Sequence, residues 1–242
     1  EAGLAVDEAA FHIEMTKQRE RARAERLAKD ISGWSADLFG ELTAEPTRFD
    51  GYETLSEKAR VLALSDGEEL VDAIATDEAG EVKEGVLVVL DKTPFYAEMG
   101  GQVADHGYLV SGDAKLKVTQ VKKTPKGYFV HTCELLDGTI HVEDEVTASV
   151  DEKRRAAICR NHTATHLLQK ALREVLGEHV HQAGSYQDDR LTHFDFTHFS
   201  AVTPAELAEV ERRVNEKIYE ALPVTVKNLP IEEAKKMGAM AL

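Results

Sequence analysis

Two histidines stand four residues apart in the run Arg160-Asn161-His162-Thr163-Ala164-Thr165-His166-Leu167-Leu168. The surrounding residues hold no Gly or Pro, so the pair falls on one face of a helix, about one turn apart. That separation suits two ligands of one metal ion, and Zn²⁺ takes imidazole nitrogen readily. The alternative is a pair of histidines on a polar face or hydrogen-bonded in the core. The H-E-x-x-H route to peptide hydrolysis is excluded, because the position of its general-base glutamate is Thr163. Cys159 shares the face, with His162 at i+3 and His166 at i+7. It is either a third ligand or a small buried hydrophobe. A catalytic zinc site needs about three protein ligands and a structural one about four, so two imidazoles do not complete a set. No Ser-His-Asp or Cys-His pattern stands out, which favours direct hydrolysis over a covalent intermediate.

Two other segments carry side chains or backbone suited to a site. Thr93-Pro94-Phe95-Tyr96-Ala97-Glu98-Met99-Gly100-Gly101-Gln102 ends in paired glycines. Those let backbone approach a ligand or another segment, or simply make a tight turn. His181-Gln182-Ala183-Gly184-Ser185 places an amide and a glycine on a strand expected to face the histidine helix.

The elements that must position these residues fall into three stretches, giving an α+β fold. Residues 1–46 read as a helical connector, with a helix over 7–30 that Asp7 caps and no Gly or Pro between Asp7 and Gly33. Residues 47–150 alternate short β-type runs with turn signals such as Ser65-Asp66-Gly67, Ser111-Gly112-Asp113 and Asp137-Gly138. That spacing predicts a small antiparallel β-barrel, which by closing removes its own edges. Residues 151–242 return to the helical period. Asp151 caps a helix that Gly177 ends, two strands follow near 180–186 and 191–196, and Thr203-Pro204-Ala205-Glu206 opens a second helix with a capping box. That helix is expected to run to about Leu222. Val224-Thr225-Val226 reads as a strand, and Ile231 to Lys236 as a short helix ended by Gly238.

Composition bounds the partners. Hydrophobic residues make up 43% and charged residues 30% of the chain, ordinary for a globular protein and too apolar for a disordered one. The net charge of −15 argues against generic duplex binding, which needs Lys and Arg on the phosphates. It leaves room for docking one end of an RNA through local basic runs at 19–26, 122–126 and 153–160, each of which otherwise reads as a solvated face. No apolar run approaches the roughly 20 residues of a membrane span. The start shows neither a leader nor an initiator Met, so the chain is expected to be an excised fragment. Cys133 and Cys159 make no disulfide framework, and a reducing cytoplasm is the expected setting.

Taken together, "TPFYAEMGGQ", "RNHTATHLL", "VHQAGS", "FDFTH" (Phe194 to His198) and the closing "KKMGAMAL" resemble the alanyl-tRNA synthetase family and its free-standing editing relatives. The likeness runs along nearly the whole chain with the motifs in order. It implies a translation-protein-like barrel followed by the first part of an editing domain. It also implies hydrolysis of the ester joining serine or glycine wrongly to the 3′ end of tRNA-Ala. By carry-over His162 and His166 are metal ligands, Gln182 belongs to the catalytic set, Thr165 and Gln182 contact the substrate's amino acid, and Gly100 and Gly101 lie near the pocket. The family completes its Zn²⁺ site with a later C-x-x-x-H, which this chain lacks, and relatives often carry Arg where His193 stands. Weak or no zinc binding and weak or no activity are therefore expected of this piece. The ATP- and Mg²⁺-dependent ligation implied for the parent enzyme would lie upstream.

Such a second site is needed on energetic grounds. One methylene is worth about 1–3 kcal/mol in a binding pocket, too little to reject glycine from an alanine site. A buried polar partner left unpaired by alanine costs about 1–3 kcal/mol, which spares the correct product while serine is cleaved. Two rival readings stand beside this one. The first is an RNA- or protein-binding module without catalysis. The second is an unrelated zinc hydrolase in which Cys159 or a carboxylate completes the metal site.

Overall fold

The computed structural model describes residues 38–76 and 80–225, then 227 and 229–238, together with Phe11, Met15, Lys17 and Gln18 near the start. The chain divides into two compact units, 1–45 and 46–242. In the first, Phe11, Met15, Lys17 and Gln18 are helical and 38–41 form a turn. Most of the helix expected over 7–30 lies outside the described residues.

The second unit opens with eleven strands: β1 (Arg48–Phe49), β2 (Ser56–Ser65), β3 (Leu70–Val71), β4 (Ala73–Ala75), β5 (Lys83–Leu90), β6 (Lys92–Thr93), β7 (Gly107–Ser111), β8 (Ala114–Lys123), β9 (Phe129–Asp137), β10 (Thr139–His141) and β11 (Glu145–Val150). Six of them form the antiparallel order β11-β7-β8-β9-β5-β2, and β11 also pairs with β2, which closes a barrel. The alternation seen in the sequence is the cause: in β8, Leu116, Val118 and Val121 point in and are fully buried. Leu64, Val88, Leu90, Phe95, Leu109, Leu135 and Ile140 join them in one core. Turns at the rim need glycine. Gly138 has φ +75°, and a Cβ there would lie 2.5 Å from the Asp113 carbonyl.

One polar group sits inside this core. His131 is fully buried, with Nδ1 3.0 Å from the Val88 carbonyl and Nε2 2.8 Å from the Thr93 hydroxyl. The carbonyl can only accept, so Nδ1 carries the proton and the hydroxyl donates to Nε2. The same hydroxyl oxygen accepts from Phe95 N–H at 3.2 Å. The imidazole thereby pins the point where the chain leaves β6 and enters the loop carrying the paired glycines. Burial drives its pKa down to about 4, so it is neutral.

After the barrel come α1 (Glu152–Leu176), β12 (Gln182–Gln187), β13 (Thr192–Phe196), α2 (Pro204–Tyr219) and α3 (Ile231–Lys236). Asp151 caps α1 by accepting from Arg154 N–H at 3.0 Å, and Gly177 ends it at φ +117°. Thr203 and Glu206 form the expected capping box on α2. β12 and β13 make an antiparallel hairpin. Ala171, Leu172, Val180 and Val210 form a small second core with Phe194 and Phe196 against it. Two expectations are corrected. α2 ends at Tyr219, three residues early, where Ala221 adopts φ +48° ahead of Pro223. Val224 and Thr225 lie in no strand, since alternation of β-branched residues makes a strand only where an edge is there to pair with it. No helix among the described residues is long and apolar enough to cross a membrane.

Candidate functional site

Arg155, Cys159, His162 and His166 recur along α1 at heptad spacing and so share one stripe. The stripe forms one wall of a cavity of about 310 Å³, whose other lining residues include Gln102, Tyr52, Tyr96 and Thr163. A larger hollow of about 620 Å³ runs along the surface of α2 past Arg212 and Glu216. Those two groups pair with each other at 3.0 Å, and no chemistry converges there.

The two imidazoles face one another, ring centroids 5.3 Å apart and planes 18° from parallel. Gln102 Oε1 lies 2.6 Å from His162 Nδ1. An amide oxygen only accepts, so Nδ1–H donates and Nε2 keeps its lone pair. This is the arrangement a metal-binding histidine requires, with its second nitrogen held by a fixed acceptor. Burial, and then the neighbouring His166, depress the His162 pKa and favour the neutral ring. Among the described residues no third His, Cys, Asp or Glu joins the pair in a metal-holding group. Cys159 lines the same cavity without joining such a group.

Gln102 reaches His162 because of the glycines before it. Gly100 and Gly101 take φ +62° and +82°, and a Cβ on Gly101 would sit 2.6 Å from the Ser185 carbonyl oxygen. The loop then lies along β12: Gln187 N–H donates to the Gly101 carbonyl at 2.9 Å and Val103 N–H to the Gln187 carbonyl at 3.1 Å. A segment of the barrel thus runs parallel to the hairpin and points an amide at the helix.

Arg155 fixes the opposite wall. Its guanidinium pairs in two-pronged fashion with the buried Asp105 and donates to the Gly51 and Pro94 carbonyls at 2.8 and 2.9 Å. Arg154 donates to the Ala104 carbonyl at 2.7 Å and pairs with Asp189 at 3.3 Å. The basic run at 153–160 is therefore not merely a solvated face; two of its arginines join helix to barrel.

The structure brings His162 and His166 together as the spacing predicted. The other expected site residues are not among those that line the cavity. Thr165 is buried and donates to the Asn161 carbonyl at 2.9 Å, with Thr192 Oγ1 at 3.3 Å. Gln182 donates to Ser185 Oγ at 3.1 Å, and Gly100 and Gly101 act through the loop. Sequence reasoning missed Gln102, Tyr52, Tyr96 and Arg155. The first ends the Gly-Gly motif, and a side chain following such a motif was the available signal.

Residues 1–154 match the model of the family described as tRNA synthetases class II (A). Over its full length the chain is 46% identical to an alanine–tRNA ligase of Acetivibrio thermocellus and 45% identical to one of Bacillus mycoides. A ligase of the same name from Thermoanaerobacter sp. is 46% identical. In each case the chain spans 27% of the relative's length. The barrel and first helical turn fall inside the family match, the histidine pair falls inside the longer alignments, and the chain belongs to the class II tRNA synthetase (A) family.

Proposed function

We propose that this region is the editing part of an alanine–tRNA ligase and cleaves the ester that joins a wrong amino acid, serine or glycine, to the 3′ end of tRNA-Ala. The observation that carries the reading is the facing pair His162 and His166, with His162 held as the Nδ1–H tautomer by Gln102. That donor chemistry fits half of a zinc shell, and His162 and His166 would hold the ion. Bound there, Zn²⁺ supplies a Lewis acid and a water of lowered pKa.

The chain's own residues supply the rest. Gln102 keeps the His162 lone pair aimed into the cavity. Thr165 ties the helical turn bearing His166 to Thr192, and Gln182 holds Ser185, against which Gly101 packs. We assign both to shaping the end of the cavity that receives the amino acid. Thr163 adds an aliphatic hydroxyl to the lining.

The test is hydrolysis of Ser-tRNA-Ala by the full-length ligase that contains this region, with zinc content measured in parallel. His162→Ala and His166→Ala are expected to lose turnover and metal together. Gln102→Ala should cost about 10–100-fold in activity or metal affinity while leaving the melting temperature in place. Turnover within twofold of wild type in His162→Ala would exclude the assignment. A second reading, an RNA-holding module without chemistry, is favoured by the two-ligand metal set among the described residues. RNA binding with no turnover at any zinc concentration would select it.

A further inference from the structure

We infer that Tyr52, backed by Tyr96, is the stacking surface for the unpaired terminal nucleobase of the RNA; this inference rests on the proposed editing function and names where its substrate's last base goes. Tyr52 is 85% exposed. It nevertheless lines the cavity that holds His162 and His166. Tyr96, partly buried, lies beside it. The two rings are held by a third: Phe49 meets Tyr52 edge to face at 5.0 Å and Tyr96 at 6.1 Å, and itself stacks on Phe129 at 5.5 Å.

The backbone under Tyr52 is built for this placement. A Cβ on Gly51 would overlap the Pro94 carbonyl oxygen and lie 2.5 Å from the Phe49 ring, so only glycine lets the 50–53 turn close against the loop that carries Tyr96. The Arg155 guanidinium donates to both Gly51 and Pro94 carbonyls. One side chain of the histidine helix thus sets the distance from the tyrosine ring to the imidazoles. An ordered, exposed ring at a fixed distance from a hydrolytic site suits an ester whose alcohol is a nucleoside: the base rests on the ring while the ribose ester reaches the histidines. Unpaired RNA ends are recognised in this way, bases splayed onto aromatic faces, with affinity that tolerates the base's identity.

The test uses a short RNA hairpin with a single-stranded 3′ end carrying 2-aminopurine as its last base, titrated into the protein. Stacking quenches its fluorescence. Wild type is expected to quench, Tyr52→Phe to match it within twofold, and Tyr52→Ala to lose the quenching and about tenfold in affinity. With an abasic 3′ terminus, wild type and Tyr52→Ala should bind equally. Tyr52 is too exposed for its loss to unfold the chain, and a thermal melt of each variant checks this. Full quenching in Tyr52→Ala, or a Tyr52→Ala defect that persists on the abasic RNA, overturns the assignment. Hydrolysis of a seryl ester of a simple alcohol separates this from the editing reading. In the full-length ligase, quenching without turnover of any ester removes the editing activity and keeps the stacking surface. Turnover with unaltered quenching in Tyr52→Ala does the reverse.

Discussion

The barrel and the helix-hairpin part of the same unit are built on different terms. The barrel closes on itself, and strands from every side feed one apolar core running from Leu64 and Val88 to Leu116, Leu135 and Ile140. Among the described residues the α1, β12–β13 and α2 assembly has four, Ala171, Leu172, Val180 and Val210, in its buried cluster, and its sheet has two strands. The groups able to do chemistry sit in the thinner part. It borrows rigidity from the thicker one at two seams: Arg155 on Asp105, and the Gly101 loop along β12. A site needs positioning to a fraction of an ångström, and here a scaffold with a large core lends that precision to a part whose own core is small.

The largest effect is expected at the first seam. Asp105→Ala leaves the guanidinium of Arg155 with no carboxylate in a mostly buried position, a loss of about 3–5 kcal/mol. Hydrogen exchange should locate the loss in α1 and the hairpin while β8 and β9 stay protected. Uniform loss of protection would show that the two regions fold as a single cooperative whole. Next in size is a paired truncation. Leu135→Ala opens a cavity in the barrel and should cost about 2–5 kcal/mol. Leu172→Ala, in a cluster that can collapse around the gap, should fall at the low end of that range. Equal costs in urea unfolding would remove the contrast in packing.

How far the sequence reveals each region follows from the same contrast. Elements set by local chemistry are legible: the Asp151 cap, the Gly177 stop and the Thr203–Glu206 box all stand where their residues put them. The barrel is legible because alternation and turns repeat along its strands. The seams are not. Gln102 and His162 lie 60 positions apart, and no periodicity links them. Arg155 looks like one member of a basic run until the loop bearing Asp105 is folded beneath it. For His162 and His166 a single helix supplies both rings, so spacing alone brings them together. Thr165 is legible as a helix residue, but which neighbour its hydroxyl meets depends on where β13 docks.

Acid should act on the barrel first through His131. Its pKa in the folded protein, about 4, lies below the ordinary 6.5, so the unfolded chain binds the extra proton more readily. Stability from the neutral ring is complete above pH about 6.5 and is lost as pH falls toward about 4, by up to about 3 kcal/mol. His131→Gln is expected to lower stability at neutral pH and to flatten this slope. A slope unchanged in the variant would mean that carboxylates elsewhere carry the acid sensitivity.

The smallest effect on stability comes from thiol chemistry, and it reads the two regions separately. Cys133 is fully buried in β9, its pKa raised well above the ordinary thiol value by burial and by Glu134, so it has neither access nor thiolate. Cys159 is exposed and lines the cavity with His162 and His166. A maleimide should therefore add once to the native protein, at Cys159, with little change in melting temperature. A second addition at Cys133 should follow only at the rate of global unfolding. If the single adduct also blocks binding of the 2-aminopurine hairpin, the cavity and the stacking surface are one site. If Cys133 is modified at a rate independent of denaturant, the barrel opens locally, and the division between a closed scaffold and a thin-cored working part does not hold.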